Sequence, residues 1–473
     1  MVDSILDGWS KVVRSRGDQF LVQGGESWTA AEIDSAASAI SARLDDVSPE
    51  RARPLALSTR SGGLFLAGLI GGLRAMRPVL LLDSDLTGAE RDAASARFGA
   101  QVCVGDGTHA AWAGLRPLSP AAEPPALPRG ATVIKMSSGT TGVPCGIATT
   151  SDALAADEAA LFSTMELRET DRLLAAVPLG HSYGLSSLAL PAIVRGLPLV
   201  MTPDDGPFTP LHAARTGAAT VFPTTPAWLH ALSRLAEPVS VPETLRLVIS
   251  AGAPLDPEAA ARAAHVLGRR VHAFYGASEA GGICYDRTGE GATNGTVGEP
   301  VEGVRLTLLP VDPSLHGAAE AGQVIVRSPA VASGALPPDP ARLSGGRFAA
   351  SDIAVLHGAE LRLLGRLDDL IIVRGRKVSP VEIESILREM DGVLEAVAVP
   401  VTRPEGGDPV LRAVVACAPG RLTPREILAW CRSRLAGHKQ PRSVVVLPVL
   451  PRTPRGKIDR RRLSLWDAGA TES

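Results

Sequence analysis

The sequence predicts an α/β protein with a large N-terminal body and a small α+β C-terminal domain. Short apolar runs typical of strands alternate with helical patterns up to about residue 294, where shorter strands separated by turns begin. Beyond residue 365 the order is β-α-β-β-α-β. Alternation predicts stacked, mostly parallel sheets covered by helices. We therefore expect a body over residues 1–366 that includes a small β-subdomain, and a second domain over residues 367–473.

The individual elements follow from local patterns. Glu32 lies three residues after Thr29, which predicts a capping box before apolar residues at helical spacing. Other helical patterns cover 62–73, 151–166 and 257–266, and the first of these is too short to span a bilayer. The strand-like runs are 54–58, 79–82, 102–104, 131–136, 173–178, 199–202, 219–223, 245–250, 271–275, 304–309 and 322–327. The C-terminal elements are a hairpin at 370–378, helices at 380–390 and 424–435, and strands at 396–401, 411–416 and 444–447.

The composition favours a packed globular protein. Hydrophobic residues make up 45% of the chain, and 48 basic against 50 acidic residues leave a net charge of −2. No general attraction to nucleic acid or anionic membranes follows from that balance. The five cysteines show no CxxC spacing, and the N-terminus lacks a signal-peptide pattern. We expect a cytoplasmic protein with no nucleic-acid partner and no membrane span.

A loop of glycine and hydroxyl residues follows the strand predicted at 131–136. It reads SSGTTGVPCG over residues 137–146, and its N–H and O–H groups suit phosphate oxygens. It fits neither GxxxxGK[ST] nor GxGxxG, and such a loop in isolation is more often a plain turn.

Further segments give this loop a meaning. They are VPLGHSYGL at 177–185, SAGAPL at 250–255, FYGASE at 274–279, SD at 351–352, GRLDDLI at 365–371, GRKVSP at 375–380, EIE at 382–384 and PRTPRGKI at 451–458. With the loop, and in this order, they resemble the AMP-forming acyl- and aryl-CoA synthetases, adenylation domains and luciferases, the acyl-adenylate-forming enzymes. The resemblance covers about residues 29–465.

The resemblance implies an ATP site. Asp352 would accept the ribose hydroxyls with its two carboxylate oxygens, and Arg366 would reach ribose or phosphate, unless it forms a surface ion pair. Tyr275 would stack on adenine, although a buried core tyrosine is an open alternative. The implied nucleotide-binding residues are Ser137, Ser138, Gly139, Thr140, Thr141, Gly142, Gly252, Ala253, Pro254, Tyr275, Gly276, Ala277, Asp352 and Arg366.

The resemblance also implies the catalytic group, which consists of Lys457, Glu279 and Ser278. Joining a carboxylate to the α-phosphate brings two anions together, so the site must supply positive charge and alignment. Lys457 would bridge the two sets of oxygens, with a solvated lysine in an arginine-rich tail as the alternative. Glu279 would hold Mg²⁺ directly or through water, or would be a helix-start acid without a ligand.

A hinge is implied at Asp368. Rotation of a mobile C-terminal domain there would remove Lys457 from the site and bring Gly375 and Lys377 towards it, which would admit a thiol for a second half-reaction.

The expected pocket for the acid consists of His181, Ser182, Ser250, Ala280 and Gly281. The gate segment at 177–185 contains no acidic residue to bind an amine, so an amino acid substrate is disfavoured. The small residues at 280–282 would leave space for an aryl ring or an acyl chain. His181 could contact the substrate or be an ordinary structural histidine.

Position 145 departs from the family pattern, which has lysine after the proline. Cys145 supplies no fixed positive charge, and we expect ATP contacts to weaken by about 1–3 kcal/mol. Lys135, on the strand that leads into the loop, is expected to compensate partly.

The sequence therefore predicts an AMP-forming carboxylate ligase that uses ATP, Mg²⁺ and coenzyme A. A small carboxylic acid would become an acyl-adenylate, and its acyl group would pass to the thiol of coenzyme A. Three alternatives stay open. The acceptor could be the phosphopantetheine of an acyl carrier protein or an amine, or the chain could be a degenerate adenylate-binding protein without turnover.

Overall fold

The chain divides into two compact units. Unit 1 comprises Met1–Thr307, Ile325–Ala349 and Leu356–Arg362, and unit 2 comprises Leu308–Val324, Ala350–Val355 and Leu363–Ser473. The computed structural model describes residues 4–47, 50, 52–105, 115–118, 125–137, 145–203, 208–235, 239–311, 320–373, 376–401, 409–435, 437–452 and 458–465.

Helices and strands alternate through most of the described chain. The helices are α1 Ser4–Arg16, α2 Ala30–Val47, α3 Gly62–Arg74, α4 Gly88–Arg97, α5 Ser151–Thr164, α6 Ser182–Gly184, α7 Leu190–Arg195, α8 Thr209–Thr216, α9 Pro226–Leu232, α10 Pro257–Leu267, α11 Gly291–Asn294, α12 Pro380–Arg388, α13 Pro424–Arg434 and α14 Arg460–Ser464. A π-helical turn covers Leu185–Ala189, and 3-10 turns cover Leu367–Asp369 and Gly437–Lys439.

The strands are β1 Phe20–Gln23, β2 Trp28–Thr29, β3 Leu55–Leu57, β4 Val79–Leu81, β5 Val102–Val104, β6 Leu115–Pro117, β7 Val133–Ser137, β8 Cys145–Thr149, β9 Leu173–Ala175, β10 Leu199–Met201, β11 Val221–Thr224, β12 Leu247–Ser250, β13 Val271–Ala277, β14 Gly281–Tyr285, β15 Glu299–Pro300, β16 Arg305–Pro310, β17 Gly322–Arg327, β18 Gly334–Leu336, β19 Leu343–Ser344, β20 Arg347–His357, β21 Glu360–Arg366, β22 Ile371–Val373, β23 Arg376–Val378, β24 Glu395–Val401, β25 Val410–Ala416 and β26 Ser443–Leu447.

Two large sheets organise unit 1. One has the order β15-β14-β13-β12-β11-β9-β10-β1-β2, and its central strands β13, β12, β11, β9 and β10 run parallel to one another. The other has the order β18-β8-β7-β4-β3-β5-β6, with β7, β4, β3 and β5 parallel. Antiparallel strands occur towards the edges of both sheets. The predicted α/β class with largely parallel sheets is confirmed.

Local predictions in unit 1 are largely correct. The capping box is present, since the Thr29 amide donates to Glu32 Oε2 at 2.7 Å and the Glu32 amide donates to Thr29 Oγ1 at 3.2 Å. The apolar helix α3 is buried from Gly62 to Leu73, as its sequence predicts. The loop expected over residues 137–146 is shorter, because Ser137 ends β7 and Cys145 begins β8. None of the described helices has the length and apolarity needed to cross a membrane.

Unit 2 contains the predicted C-terminal elements in the predicted order. β22 and β23 form an antiparallel hairpin, α12 follows, and β24, β25 and β26 form one sheet with α13 between the last two strands. Apolar residues of α12, α13, β24 and β25 pack together in a hydrophobic core that belongs to this unit. Strands β16, β17, β19, β20 and β21 belong to a further five-stranded sheet.

Candidate active site

Three of the predicted site segments begin at neighbouring parallel strands of unit 1. The gate segment at 177–185 follows β9, the segment at 250–255 begins at the last residue of β12, and Ser278 and Glu279 follow β13. β11 lies between β9 and β12, and β12 pairs with β13. The carboxyl ends of parallel strands meet at one edge of a sheet, where ligands of such folds bind. The topology therefore brings these three segments to the same edge.

Hydrogen bonds join the gate segment to the other two segments. Ser182 Oγ lies 2.7 Å from Ser278 Oγ, and the Tyr183 hydroxyl donates to the Ile249 carbonyl at 3.0 Å. The Tyr183 ring also packs against Phe274, with ring centroids 5.8 Å apart. The gate segment is thus held in contact with both strands that carry candidate site residues.

His181 has a carboxylate partner that the sequence analysis missed. Its Nε2 lies 3.0 Å from Asp83 Oδ2, and Asp83 follows β4 of the second sheet. A polar residue directly after a predicted buried strand was the available signal, since carboxyl ends of parallel strands collect functional groups. Asp83 therefore orients the ring of His181 at the gate.

The adenine-side segment is open to solvent at its tip, and the residues at its base are buried. Gly252, Ala253 and Pro254 are exposed, and Gly252 adopts a φ of +93° in open space, where a Cβ would meet no described atom within 4 Å. Ser250 Oγ is buried, and no hydrogen-bond partner for it exists in the described chain. Tyr275 is only 9% exposed, so its ring lies mostly within the body. The Ser250 hydroxyl is therefore a buried, unsatisfied polar group at this edge of the sheet.

Glu279 lies in the turn between β13 and β14. Its carbonyl accepts a hydrogen bond from the Ala332 amide at 2.8 Å, which fixes the backbone. Its side chain is 18% exposed, and its Oε1 lies 3.9 Å from Nη2 of Arg342, a residue that the sequence analysis did not single out. The carboxylate is therefore anchored by its backbone and is only loosely paired.

Asp157 of α5 is a buried acid that the motifs did not reveal. Its Oδ1 accepts a hydrogen bond from the Gly282 amide at 2.8 Å, and its Oδ2 accepts one from Ser186 Oγ at 2.6 Å. Burial raises the pKa of Asp157, although these two hydrogen bonds and the charge of Lys135 oppose that shift. An acid on the apolar stripe formed by Leu154 and Leu161 was the signal in the sequence, because such positions rarely hold an unpartnered charge.

Asp157 also changes the explanation for the small residues at 280–282. Gly281 has a φ of +67°, and a Cβ at this position would overlap the Asp157 carboxylate. A Cβ at Gly282 would lie 2.6 Å from Leu161. The side-chain space expected for substrate is therefore occupied at both glycines, and their small size serves the contact with α5.

A separate group of charged residues lies in unit 2. Arg366 Nε lies 3.7 Å from Asp352 Oδ1, and Arg366 Nη2 lies 3.4 Å from Asp368 Oδ2. Ser351 Oγ donates to the same Asp368 oxygen. The side chain of Arg366 is 45% exposed. The structure thus brings together the proposed ribose ligand, the arginine and the hinge aspartate.

Some predicted site residues lie outside the described residues. These are Ser138, Gly139, Thr140, Thr141, Gly142, Gly375 and Lys457. Lys377 belongs to β23, where its backbone pairs with Ile372, and its side chain is not described.

The comparison with known families settles the relationship. The family of AMP-binding enzymes matches residues 9–336, and the AMP-binding enzyme C-terminal domain matches residues 382–457. The chain belongs to the AMP-binding enzyme family. The family predicted from the motifs is therefore confirmed.

Two relatives of this AMP-binding enzyme are named as enzymes that form CoA thioesters. The nicotinic acid-CoA ligase of Penicillium canescens is 31% identical over 63% of this chain and 56% of its own length. The feruloyl-CoA synthase of an Amycolatopsis species is 32% identical over 71% of this chain and 70% of its own length. The matched region thus covers little more than half of the first relative and about 70% of the second. ATP-bound MatB of Rhodopseudomonas palustris shares the fold, with a TM-score of 0.81, 21% identity and 98% coverage of both chains.

Proposed function

We propose that this AMP-binding enzyme is an acid–thiol ligase. It activates a carboxylic acid with Mg–ATP to an acyl-adenylate, releases pyrophosphate, and transfers the acyl group to the thiol of coenzyme A. The match of both family domains along one chain carries the proposal. Nicotinic and ferulic acids, named for two relatives, are aromatic, so aryl acids are the first class to test.

The proposed chemistry depends on charge and alignment. Lys457 aligns the acid's carboxylate with the α-phosphate by binding oxygens of both anions. Glu279 fits a Mg²⁺ ion that arrives with ATP, because this cation commonly takes one or two protein carboxylates and completes its shell with phosphate oxygens and water. Its partly accessible, loosely paired carboxylate supports this role, with Ser278 beside it. Bound Mg²⁺ would supply charge neutralisation at the triphosphate.

The other proposed contacts follow the same logic. Asp352 accepts the ribose hydroxyls and Arg366 binds ribose or phosphate, while Tyr275 contacts adenine. Asp368, Gly375 and Lys377 serve the thiolation half-reaction. His181, Ser182 and Ser250 contact the acid, and the unsatisfied Ser250 hydroxyl supports that placement.

Acid-dependent exchange of labelled pyrophosphate into ATP tests the first half-reaction. A panel of aryl acids, fatty acids and amino acids is incubated with the full chain, ATP, Mg²⁺ and labelled pyrophosphate. We expect exchange with at least one aryl acid, and we expect Lys457→Ala to abolish it. Absence of exchange across the whole panel, in a protein that still binds ATP, would identify a non-catalytic adenylate-binding protein.

Mass measurement of the product identifies the acceptor. The active acid is incubated with ATP and with coenzyme A, a phosphopantetheinylated carrier protein or a simple amine in separate reactions. Formation of the acyl-CoA alone supports the proposal. Formation of an acylated carrier or an amide instead would show that coenzyme A is not the acceptor. The cytoplasmic location stays a prediction from the sequence.

A further inference from the structure

Lys135 is a buried lysine in a chain in which only five of the 48 basic residues are lysines. It lies in β7 with an exposed fraction of 4%. It forms neither a salt bridge nor a side-chain hydrogen bond with any residue that the structure describes. Burying an ammonium group without a direct partner is unfavourable, so the position calls for an anion.

The β7–β8 hairpin fixes the direction of this side chain. Lys135 pairs with Ile147, and Ser137 pairs with Cys145. Residues two apart on a strand, and residues paired across an antiparallel ladder, project from the same face. Lys135, Ser137 and Cys145 therefore share one face of the hairpin. Lys135 lies two residues before Ser137, which ends β7.

Two acidic residues lie near Lys135. Burial lowers the pKa of the Lys135 ammonium, while the negative charges of Asp157 and Glu279 oppose that shift. Glu279 is the carboxylate that fits a metal ion at the triphosphate. Lys135 is thus close enough to both carboxylates to feel their charge, and it lies two residues before Ser137, the last residue of β7, whose hydroxyl is suited to phosphate.

We propose that Lys135 is an ATP-binding residue whose ammonium contacts the polyphosphate from the face of the β7–β8 hairpin. This inference rests on the proposed use of ATP. Lys135 would supply, from a buried position in β7, the positive charge that is missing at Cys145 on the same face. An incoming phosphate would provide the direct anionic partner that the described chain does not.

Substitution and rescue test this role. Lys135→Met keeps a side chain of similar length without charge, and calorimetry measures the Kd of Mg–ATP without any need for turnover. We expect the Kd, and the KM for ATP in pyrophosphate exchange, to rise about tenfold, as for loss of a charged hydrogen bond. The KM for the acid should stay within about twofold.

Cys145→Lys provides the rescue because it restores a charge on the same face. In the Lys135→Met background it should recover most of the lost ATP affinity, and its effect in the unsubstituted protein should be smaller, since residues that serve one ligand group are coupled. Lys11→Met removes an exposed lysine of α1 and should leave both constants unchanged. Thermal unfolding of each variant verifies folding, and Lys135→Gln replaces Lys135→Met if the latter is unstable.

Two results would overturn the inference. One is an ATP Kd within about twofold of the unsubstituted protein in a folded Lys135 variant. The other is a rise confined to the KM for the acid, which would place the ammonium on the substrate carboxylate. Failure of the proposed function is separate, since it appears as absent exchange in the unsubstituted protein, whose ATP affinity calorimetry still measures.

Discussion

Two charged residues near the candidate site of unit 1, Asp157 and Lys135, are buried, whereas the charged group around Arg366 in unit 2 is partly exposed. Asp157 lies in a buried network with Ser186 and Gly282, and Lys135 lies nearby in the core. Arg366 and its two aspartates are joined by contacts of 3.4–3.7 Å and remain accessible.

The difference concerns what each group can do. A buried charge is held in place by surroundings that cannot rearrange without leaving polar groups unsatisfied, so it is costly to remove. Exposed ion pairs contribute little to stability and exchange partners readily. Unit 1 therefore holds its carboxylate network rigidly, whereas the unit 2 group can change partners when a nucleotide binds.

Removal of Asp157 should cause the largest loss of stability among these variants. Asp157→Ala leaves the Gly282 amide and the Ser186 hydroxyl without their acceptor and removes a counter-charge from Lys135. We expect a loss of about 3–5 kcal/mol in the free energy of unfolding, measured by urea titration. Asp152→Ala on the exposed first turn of α5 is the control, with a change below about 1 kcal/mol. Equal effects of the two variants would contradict a special role for the buried network.

A methyl group at position 281 probes the same network from the other side. Gly281→Ala combines a positive φ with overlap of the Asp157 carboxylate, so we expect a loss of about 2–4 kcal/mol. Gly303→Ala provides the matched control, because Gly303 has a φ of +76° with open space around it and should lose only about 1–2 kcal/mol. If the two variants unfold at the same urea concentration, the contact with Asp157 does not require glycine.

Among the described residues, Asp171 is a buried acid that, unlike Asp157, has a direct cationic partner in Arg246. Although burial acts to raise its pKa, hydrogen bonds from Arg246, Thr220 and the Arg168 amide hold the pKa of Asp171 below its ordinary value of 3.8. Its contribution to stability is therefore complete above pH 3.8 and is lost as the pH falls through the lower folded-state pKa.

Asp171→Asn should lower the free energy of unfolding by about 1–3 kcal/mol at neutral pH. The difference in this free energy between the variant and the unsubstituted protein should disappear in acid. Urea titrations at several pH values check this. A difference that stays constant down to the lowest pH would show that the carboxylate charge does not matter.

Arg366 should show the smallest effect on stability and a larger one on activity. Arg366→Met removes an exposed side chain, so we expect less than about 1 kcal/mol of destabilisation. Under the proposed function, its KM for ATP in pyrophosphate exchange should rise about tenfold. Arg421→Met, at another exposed ion pair of unit 2, should change neither quantity. A large loss of stability in Arg366→Met would remove the distinction between the two units.

Much of the fold was predictable from local sequence. The bounds of α3, α5 and α10, and of β5 and β17, lie within about two residues of their predictions, because their apolar periodicity and caps are local signals. The strand β8 was not predicted, since Cys145 and Gly146 were assigned to the preceding glycine-rich loop.

The candidate site was predictable where it lies in motifs. Ser278, Glu279, Asp352 and Arg366 belong to short segments whose order identifies the family. Asp83, Arg342 and Asp157 belong to no such segment and were missed. The closest of their pairings with motif residues are separated by 63 positions, so no local pattern could indicate them.

The sequence by itself determined the family, the order of the elements and the segments that carry the chemistry, because each of these depends on patterns of residues that are close together in the chain. Only the tertiary structure decided which charges share a buried environment. Lys135 and Asp157 lie near each other because β7 and α5 pack into one core, and Gly281 is small because Asp157 occupies the space beside it. These contacts join segments that are remote in sequence. Whether they form depends on the free energies of packing and desolvation in the folded protein.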